Sequence, residues 1–319
     1  MDLNEFKQLL EETEDKLSIF GNVEILRQFN INLGELYDAI HEYLNDEEIS
    51  KLLDYSYFQK WDINRRKKII LMISDSEVLL NVLQDEEKLK DFRSYDLETL
   101  IKKLNDSDKE KLLNIQDWFK KHEFNTYQVT EIIIGINEST RYNIVSNPIL
   151  MERLQLEKYN VTQIIVSLED EEDKNKLLDI YQFEEYEQAN IVTTYSDEGK
   201  EKFLSSSQLC KNSKILILKS FGVDNLITYI NNQKNNLSDL EIYEIIMKLD
   251  ESQQEEFISK LNNVNLTIDE KREIFATLKT ETKEKIEVSQ LDPVLRNALN
   301  VNTTEYSGKI ILDLSTDLE

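Results

Sequence analysis

The chain has 319 residues, of which 40% are hydrophobic and 32% are charged, and its formal net charge is −25. Six glycines and two prolines are too few for the many turns of a β-sandwich, a β-barrel or a Rossmann-type fold, so we expect helices joined by short polar loops. No apolar run approaches the ~18 residues of a membrane span, and the acidic charge predicts no direct binding to nucleic acid or anionic lipid.

Residues 1–36 are predicted to form an N-terminal helical cap. A terminal repeat in a row of helical repeats exposes its core unless another element covers it. Two amphipathic helices in this segment would cover that open end. Their apolar positions are Leu9, Leu10, Leu17, Phe20, Ile25, Leu26 and Phe29.

Residues 37–232 repeat one pattern: two adjacent apolar residues, two variable residues, one apolar residue, one variable residue and then an acid. The clearest copies lie at 69–75, 100–106, 132–138 and 164–170. Apolar residues at i, i+1 and i+4 form one stripe on a helix, and the polar cluster after them stops that helix and caps the next. Each copy therefore predicts a hairpin of two helices.

The copies are regularly spaced, because their third apolar residues fall at 44, 73, 104, 136, 168 and 195, which are 27 to 32 residues apart. Neither helix of such a hairpin can bury its stripe alone, and neighbouring hairpins would bury it for each other. The predicted fold is therefore all-α, an α-solenoid-like stack of two-helix repeats of about 30 residues. The alternative is an irregular helical bundle. Many copies open with an aromatic residue, namely Tyr37, Tyr95, Tyr127, Tyr159 and Tyr186.

The spacing is disturbed after position 195, because the next third apolar residues fall at 230, 249 and 278 and leave one interval of only 19 residues. This indicates a break near 231–237, with further helical repeats over 233–289. Residues 290–319 form a C-terminal segment in which 309–315 predicts one buried strand. Since an isolated strand is not stable in water, this strand would need a partner strand in the segment, in another molecule or in a domain further along a longer chain.

Four capping boxes are predicted from a Ser or Thr followed three residues later by Glu. They pair Ser107 with Glu110, Ser238 with Glu241, Ser252 with Glu255, and Thr267 with Glu270.

The rare residue types argue against several kinds of chemistry. Cys210 is the only cysteine and His41 and His122 are the only histidines, so an intrachain disulfide is impossible and a zinc site would need almost all three residues together. We expect Cys210, beside Leu209, to be a packed thiol. No phosphate-binding or nucleophile motif occurs, and 63 acids provide too many carboxylate pairs for any one to stand out. The chain is therefore predicted to be a cytoplasmic protein without catalytic, cofactor or metal-binding residues.

Two places are candidates for partner binding. Residues 60–68 form a basic cluster with an aromatic residue, which suits a carboxylate or phosphate group on a partner. The alternative is a solvated first turn of a repeat helix. A second aromatic, near residue 118, is either an exposed contact anchor or part of the core. The candidate residues are Trp61, Arg65, Arg66, Lys67, Lys68 and Trp118.

The leading functional hypothesis is a non-catalytic helical-repeat module that binds another protein or acts as a scaffold. One alternative is an inhibitor whose carboxylates imitate a nucleic-acid backbone and block a basic nucleic-acid-binding defence enzyme. A second alternative is the helical arm of a larger enzyme or toxin, which the predicted C-terminal strand motivates.

Overall fold

The computed structural model describes residues 2–233 and 237–278. Within these ranges the chain forms 23 α-helices and one short 3-10 helix, with no strand, which confirms the all-α prediction. The strand predicted over 309–315 lies outside the described residues. The chain divides into two compact units, Met1–Tyr181 and Gln182–Glu319. The segment boundaries drawn from the sequence, at 1–36, 37–232, 233–289 and 290–319, stay predictions.

The first unit contains sixteen helices in its described part. In chain order they are α1 (Leu3–Glu12), α2 (Lys16–Gly21), α3 (Val23–Leu26), α4 (Leu33–Tyr43), α5 (Asp46–Leu52), α6 (Ser56–Gln59), α7 (Ile63–Ile70), α8 (Ser76–Gln84), α9 (Ser94–Ile101), α10 (Asp106–Leu113), α11 (Trp118–Lys121), α12 (Thr126–Ile134), α13 (Glu138–Val145), α14 (Pro148–Arg153), α15 (Lys158–Val166) and α16 (Glu171–Tyr181).

The second unit contains seven α-helices in its described part, and the 3-10 helix Leu261–Asn263 follows the sixth of them. In chain order they are α17 (Glu185–Val192), α18 (Asp197–Ser206), α19 (Lys211–Leu218), α20 (Val223–Gln233), α21 (Asp239–Met247), α22 (Glu251–Ser259) and α23 (Ile268–Thr277).

Helices alternate in pairs in the first unit. The first helices of the pairs are α4, α7, α9, α12 and α15, and the second helices are α5, α8, α10, α13 and α16. Along the second helices, α5 contacts α8, α8 contacts α10, and α10 contacts α13. Among the first helices, α9 contacts α12 and α12 contacts α15. Each repeated segment therefore packs against the next one in sequence.

The apolar pairs that define the repeat end the first helix of each pair and are buried. In α9, the side chains of Leu100 and Ile101 are fully or almost fully buried, and Leu104 is buried directly after the helix. Leu112 and Leu113 of the following helix α10 are buried as well. Removal of this apolar area from water, worth roughly 25 cal/mol per Å², stabilises the pair together with its neighbours.

The same alternation continues in the second unit, where α17 contacts α19, α19 contacts α21, and α21 contacts α23. Here the third apolar residue predicted at 230 is wrong, because Ile230 lies inside α20, the second helix of its pair. The first helix of that pair, α19, ends with Ile217 and Leu218, and Phe221 is the third buried apolar residue. Counted from Phe221, the intervals become 26, 28 and 29 residues, and the interval of 19 disappears.

Asparagine begins many of these helices. The side chain of Asn105 accepts a hydrogen bond from the Asp108 amide at 2.8 Å, so Asn105 caps α10 and the predicted box of Ser107 with Glu110 is wrong. Similarly, Asp250 rather than Ser252 caps α22. An Asn or Asp two residues earlier caps as well as Ser, and the helix then begins there. The boxes predicted at Ser238 and Thr267 are confirmed.

A series of side chains, here called the junction ladder, joins successive repeats in the first unit. Its members are the first residues of four second helices, and each accepts a hydrogen bond from the main-chain N–H of the residue that precedes the next second helix. Asp46 accepts from Asp75 at 2.5 Å, Ser76 from Asn105 at 2.9 Å, Asp106 from Asn137 at 3.1 Å, and Glu138 from Asp170 at 3.0 Å. In three of these links the acceptor is the acid of the repeat pattern, namely Asp46, Asp106 and Glu138, and in the fourth it is Ser76.

Arg141 adds a second polar link at one of these junctions. Its guanidinium donates to the carbonyl oxygen of Ile136 at the end of α12 at 2.8 Å, and to the carbonyl oxygen of Ser167 at the end of α15 at 2.6 Å. In the second unit, Lys200 similarly donates to the Ser220 carbonyl oxygen at 2.7 Å. Helix C-termini carry unsatisfied carbonyl groups, and a cation there satisfies them and favours the helix dipole.

Candidate functional site

Three exposed tyrosines occupy the same helical position on three neighbouring helices. Tyr95, Tyr127 and Tyr159 are each the second residue of their helix, in α9, α12 and α15. Their exposed fractions are 75%, 68% and 68%. Because α9 contacts α12 and α12 contacts α15, the three side chains follow one another across one face of the first unit. We call these three residues the tyrosine row.

The backbone under each of these tyrosines is fixed by a capped helix start. The third residue of each helix turns its side chain back to accept the main-chain N–H of the capping residue. Asp96 accepts from Arg93 at 3.4 Å, Gln128 from Asn125 at 3.1 Å, and Asn160 from Glu157 at 3.2 Å. The rings therefore project from rigid turns. This arrangement favours binding because the backbone loses little conformational entropy when a partner binds.

The basic cluster predicted from the sequence reaches the first tyrosine of the row. The ammonium group of Lys67 lies over the ring of Tyr95, 5.3 Å from the ring centroid. Lys67 also forms an ion pair with Asp96 at 3.4 Å. No cation of the described residues lies over the ring of Tyr127 or Tyr159. One ring of the row therefore holds a cation, and the other two hold none from the described part of the chain.

Carboxylates accompany the tyrosines. Glu98, one turn after Tyr95, accepts hydrogen bonds from Lys102 at 2.7 Å and from Gln128 of the neighbouring helix at 3.4 Å. The hydrogen bond from Lys102 lowers the pKa of the Glu98 carboxyl, so this group is ionised at neutral pH. Glu131, four residues after Tyr127, is exposed on the same side of α12. A carboxylate therefore lies next to each of the first two rings, and the one beside Tyr95 is paired with Lys102.

Two of the other candidate residues from the basic cluster are buried in structural contacts. Trp61 has an exposed fraction of 8% and packs its ring edge-on against Tyr37, with the centroids 6.0 Å apart. Arg66 has an exposed fraction of 5% and donates to the main-chain oxygen of Lys90 at 2.6 Å. Its guanidinium also lies over the ring of Phe92. These two side chains hold α7, the first helix of its pair, against Tyr37 on one side and against Lys90 and Phe92 on the other.

The remaining members of the cluster lie nearer to solvent. Arg65 forms an ion pair with Asp62 at 3.1 Å and is half exposed. The ammonium group of Lys68 lies 4.1 Å from the centroid of the Tyr37 ring. Partner binding by the cluster stays a prediction, and Lys67 is the member that the structure brings to the tyrosine row.

Trp118 lies in the core. Its exposed fraction is 6%, and its indole N–H donates to the main-chain oxygen of Leu83 at 2.8 Å. Its ring packs against those of Phe119 and His122. Burial lowers the pKa of His122, which keeps this imidazole neutral at physiological pH. The alternative in which Trp118 is a core residue is the one that the structure supports.

Cys210 differs from its prediction. It is exposed at the start of α19, with its thiol 3.3 Å from the Ser213 hydroxyl, rather than packed in the core. The residue begins a helix, and helix starts lie at the surface, so its apolar neighbours in sequence are a poor guide to its burial.

The described ranges hold no cluster of three or more His, Cys, Asp or Glu side chains that could bind a metal ion. None of the helices described there is long and apolar enough to cross a membrane. Comparisons with protein-family models and with curated proteins find no match to this chain.

Proposed function

We propose that this protein is a non-catalytic helical-repeat module that binds another protein through the tyrosine row. The observation that carries the proposal is the exposure of three large aromatic side chains at one repeated position on consecutive, contacting helices. Tyrosine buries a large amphipathic surface at low entropic cost and is enriched at the centres of protein interfaces.

The repeat architecture supports the same proposal. Successive helix pairs of the first unit contact each other in sequence order, and the four links of the junction ladder join five of them in one direction. We propose that the pairs form an α-solenoid-like stack, which would present the row on an extended surface. Such stacks bind partners along their length, because each repeat adds a contact of the same kind.

The test compares proteins captured from an extract of the native cells by the tagged full chain and by two variants. The first variant, Tyr95→Ser combined with Tyr127→Ser and Tyr159→Ser, removes the row. The second, Ile149→Ser, removes an exposed apolar side chain of the same unit that lies outside the row and is 78% exposed. A partner captured in stoichiometric amounts by the unaltered chain and by Ile149→Ser, but lost by the triple variant, is the expected result. Equal capture by all three proteins would refute the proposal.

The acidic charge favours one alternative, an inhibitor that imitates a nucleic-acid backbone and occupies a basic nucleic-acid-binding enzyme. Residues 1–181 carry 38 acidic and 23 basic residues, a net charge of −15. Binding of this kind would weaken steeply with salt and would not depend on the tyrosines. A partner that the triple variant still captures, and that dissociates at moderate ionic strength, would favour this alternative.

A further inference from the structure

The tyrosine row indicates that the partner presents positive charge to it, and this inference rests on the proposed function. One ring of the row, that of Tyr95, already holds a cation of the same chain, because Lys67 lies over it. The negative face of an aromatic ring attracts a cation, most strongly the planar guanidinium of arginine. Tyr127 and Tyr159 repeat the position of Tyr95 and have exposed rings that no cation of the described residues covers.

The charge of the first unit also favours a basic ligand. The unit that contains the row has a net charge of −15, and the carboxylates of Glu98 and Glu131 lie within one turn of Tyr95 and Tyr127. A cation placed over the ring of Tyr127 would lie near the carboxylate of Glu131, which strengthens its binding and repels an acidic ligand.

The usual distance between helices in direct contact indicates which ligand shape would fit the row. Packed helices lie about 8–10 Å apart. A polyproline II segment rises about 3.1 Å per residue and turns once every three residues, so every third side chain lies on one side at intervals of about 9 Å. Arginines at every third position of such a segment would therefore match successive tyrosines.

We propose that the tyrosine row binds a proline-rich basic segment of a partner protein, with arginines three residues apart placed over the rings of Tyr127 and Tyr159, next to the Tyr95 ring that Lys67 covers. The segment keeps its polyproline II form in solution, so little conformational entropy is lost on binding.

The experiment measures binding of three fluorescein-labelled peptides to the full chain by fluorescence anisotropy. The first carries three arginines at every third position with prolines between them. The second has the same composition with the arginines at every second position, and the third has glutamates in place of the arginines. The proposal expects the first peptide to bind at least about 10-fold more tightly than the second, with no binding of the third.

Variants of the protein identify the rings as the binding groups. The triple change Tyr95→Ser, Tyr127→Ser and Tyr159→Ser is expected to weaken binding of the first peptide by about 10-fold to 100-fold. The same three tyrosines changed to Phe keep their ring faces and should retain the affinity within about 3-fold. Ile149→Ser should bind like the unaltered chain.

Three results would overturn the inference: no binding of the first peptide, equal binding of all peptides, or binding that the triple Ser variant retains. Self-association of the chain that the triple Ser variant abolishes would show that a second copy covers the row, and would overturn it as well. If these results appear while the native partner is still captured through the tyrosines, the proposed function stands and only the basic segment is refuted. Loss of tyrosine-dependent capture would refute the proposed function instead.

Discussion

The carboxylate of Asp106 accepts two hydrogen bonds from Asn137, 31 residues further along the chain, one from the main-chain amide at 3.1 Å and one from the side-chain amide at 2.6 Å. The contact joins the start of α10 to the start of α13. Sequence spacing had identified Asp106 only as an acid that follows a helix. Its partner belongs to the next repeat, so this residue tests how much the junction ladder contributes to stability.

Replacement of Asp106 by Ala should lower the free energy of unfolding by about 1–2 kcal/mol, because the amide groups of Asn137 lose a charged acceptor. Urea unfolding followed by circular dichroism measures the change. Ser107→Ala is the matched control, since Ser107 is exposed in the same helical turn. An Asp106 variant that is no less stable than the control would show that the ladder adds nothing to stability.

The junction ladder also predicts a loss of stability in acid. The hydrogen bond from the Asn137 side chain lowers the pKa of Asp106, and the main-chain N–H groups of Glu169 and Asp170 lower the pKa of Glu138. Since each folded-state pKa lies below its unfolded value, the contribution is complete above the unfolded pKa and disappears as the pH falls through the folded pKa. We expect the urea concentration at the midpoint of unfolding to decrease as the pH is lowered from about 5 to about 3.

A non-titrating variant separates this effect from general acid unfolding. Asp106→Asn combined with Glu138→Gln keeps acceptor oxygens at both positions but removes their titration. This variant should be less stable than the unaltered chain at pH 7, and its midpoint should decline less steeply in acid. Parallel curves for the two proteins would assign the acid sensitivity to other carboxylates.

Arg141 should contribute more to stability than an ordinary surface arginine. Arg141→Met leaves the carbonyl groups of Ile136 and Ser167 without their guanidinium donor, which we expect to cost about 2 kcal/mol. Arg27→Met is the control, because Arg27 is 70% exposed and pairs only with Glu24 in the described residues. Exposed pairs of this kind contribute about 0–1 kcal/mol. Equal costs for the two variants, measured by urea unfolding, would contradict the assigned role.

Trp118 offers a test of the core. Trp118→Phe preserves most of the ring packing but removes the hydrogen bond to the Leu83 carbonyl oxygen, so we expect a loss of about 1–2 kcal/mol. Trp118→Ala also opens a cavity and should cost about 3–5 kcal/mol. Thermal unfolding of both variants shows whether Trp118→Ala is less stable than Trp118→Phe, as we expect. Should Trp118→Ala unfold at the same temperature as the unaltered chain, the residue would not belong to the core.

The helix pairs were predictable because their apolar residues follow helical periodicity, and the second unit shows where that signal fails. The helix α20 carries its own apolar stripe, at Leu226, Ile227 and Ile230, so a search by pattern alone finds a copy inside it. After the true end of α19, Val223 stands at the position where other copies have an acid. Without that acid, the pattern does not distinguish the first helix from the second.

The tyrosine row was visible in the sequence only as a recurring residue. Tyr37 also opens a copy, but it lies three residues before the first apolar residue of that copy, whereas Tyr95 lies five residues before its own. Tyr37 is the fifth residue of α4 and is buried, whereas Tyr95 is the second residue of α9 and is exposed. Helix starts are uncertain by several residues in a sequence, and an error of two residues turns a side chain by about 200°, to the opposite face. The exposure of the row therefore needed the structure.

The burial of Arg66 could not be predicted from the sequence either. Its hydrogen bond to the main-chain oxygen of Lys90 spans 24 residues, and nothing in the basic run distinguishes it from Arg65, which is half exposed. A long side chain becomes structural when a distant carbonyl group lies within its reach, and only the packing of the helices decides that.

The junction ladder allows one repeat to be removed while the repeats on either side of it keep the same kind of link. Leu104 and Ile136 are equivalent buried residues 32 positions apart, and each is followed by an asparagine that begins a second helix. Excision of residues 105–136 would join Leu104 to Asn137 and bring the Asn137 amide opposite Ser76, which now receives the amide of Asn105. A single recombination event in the gene can therefore shorten or lengthen the protein by one whole module, and the number of tyrosines presented to a ligand changes with it.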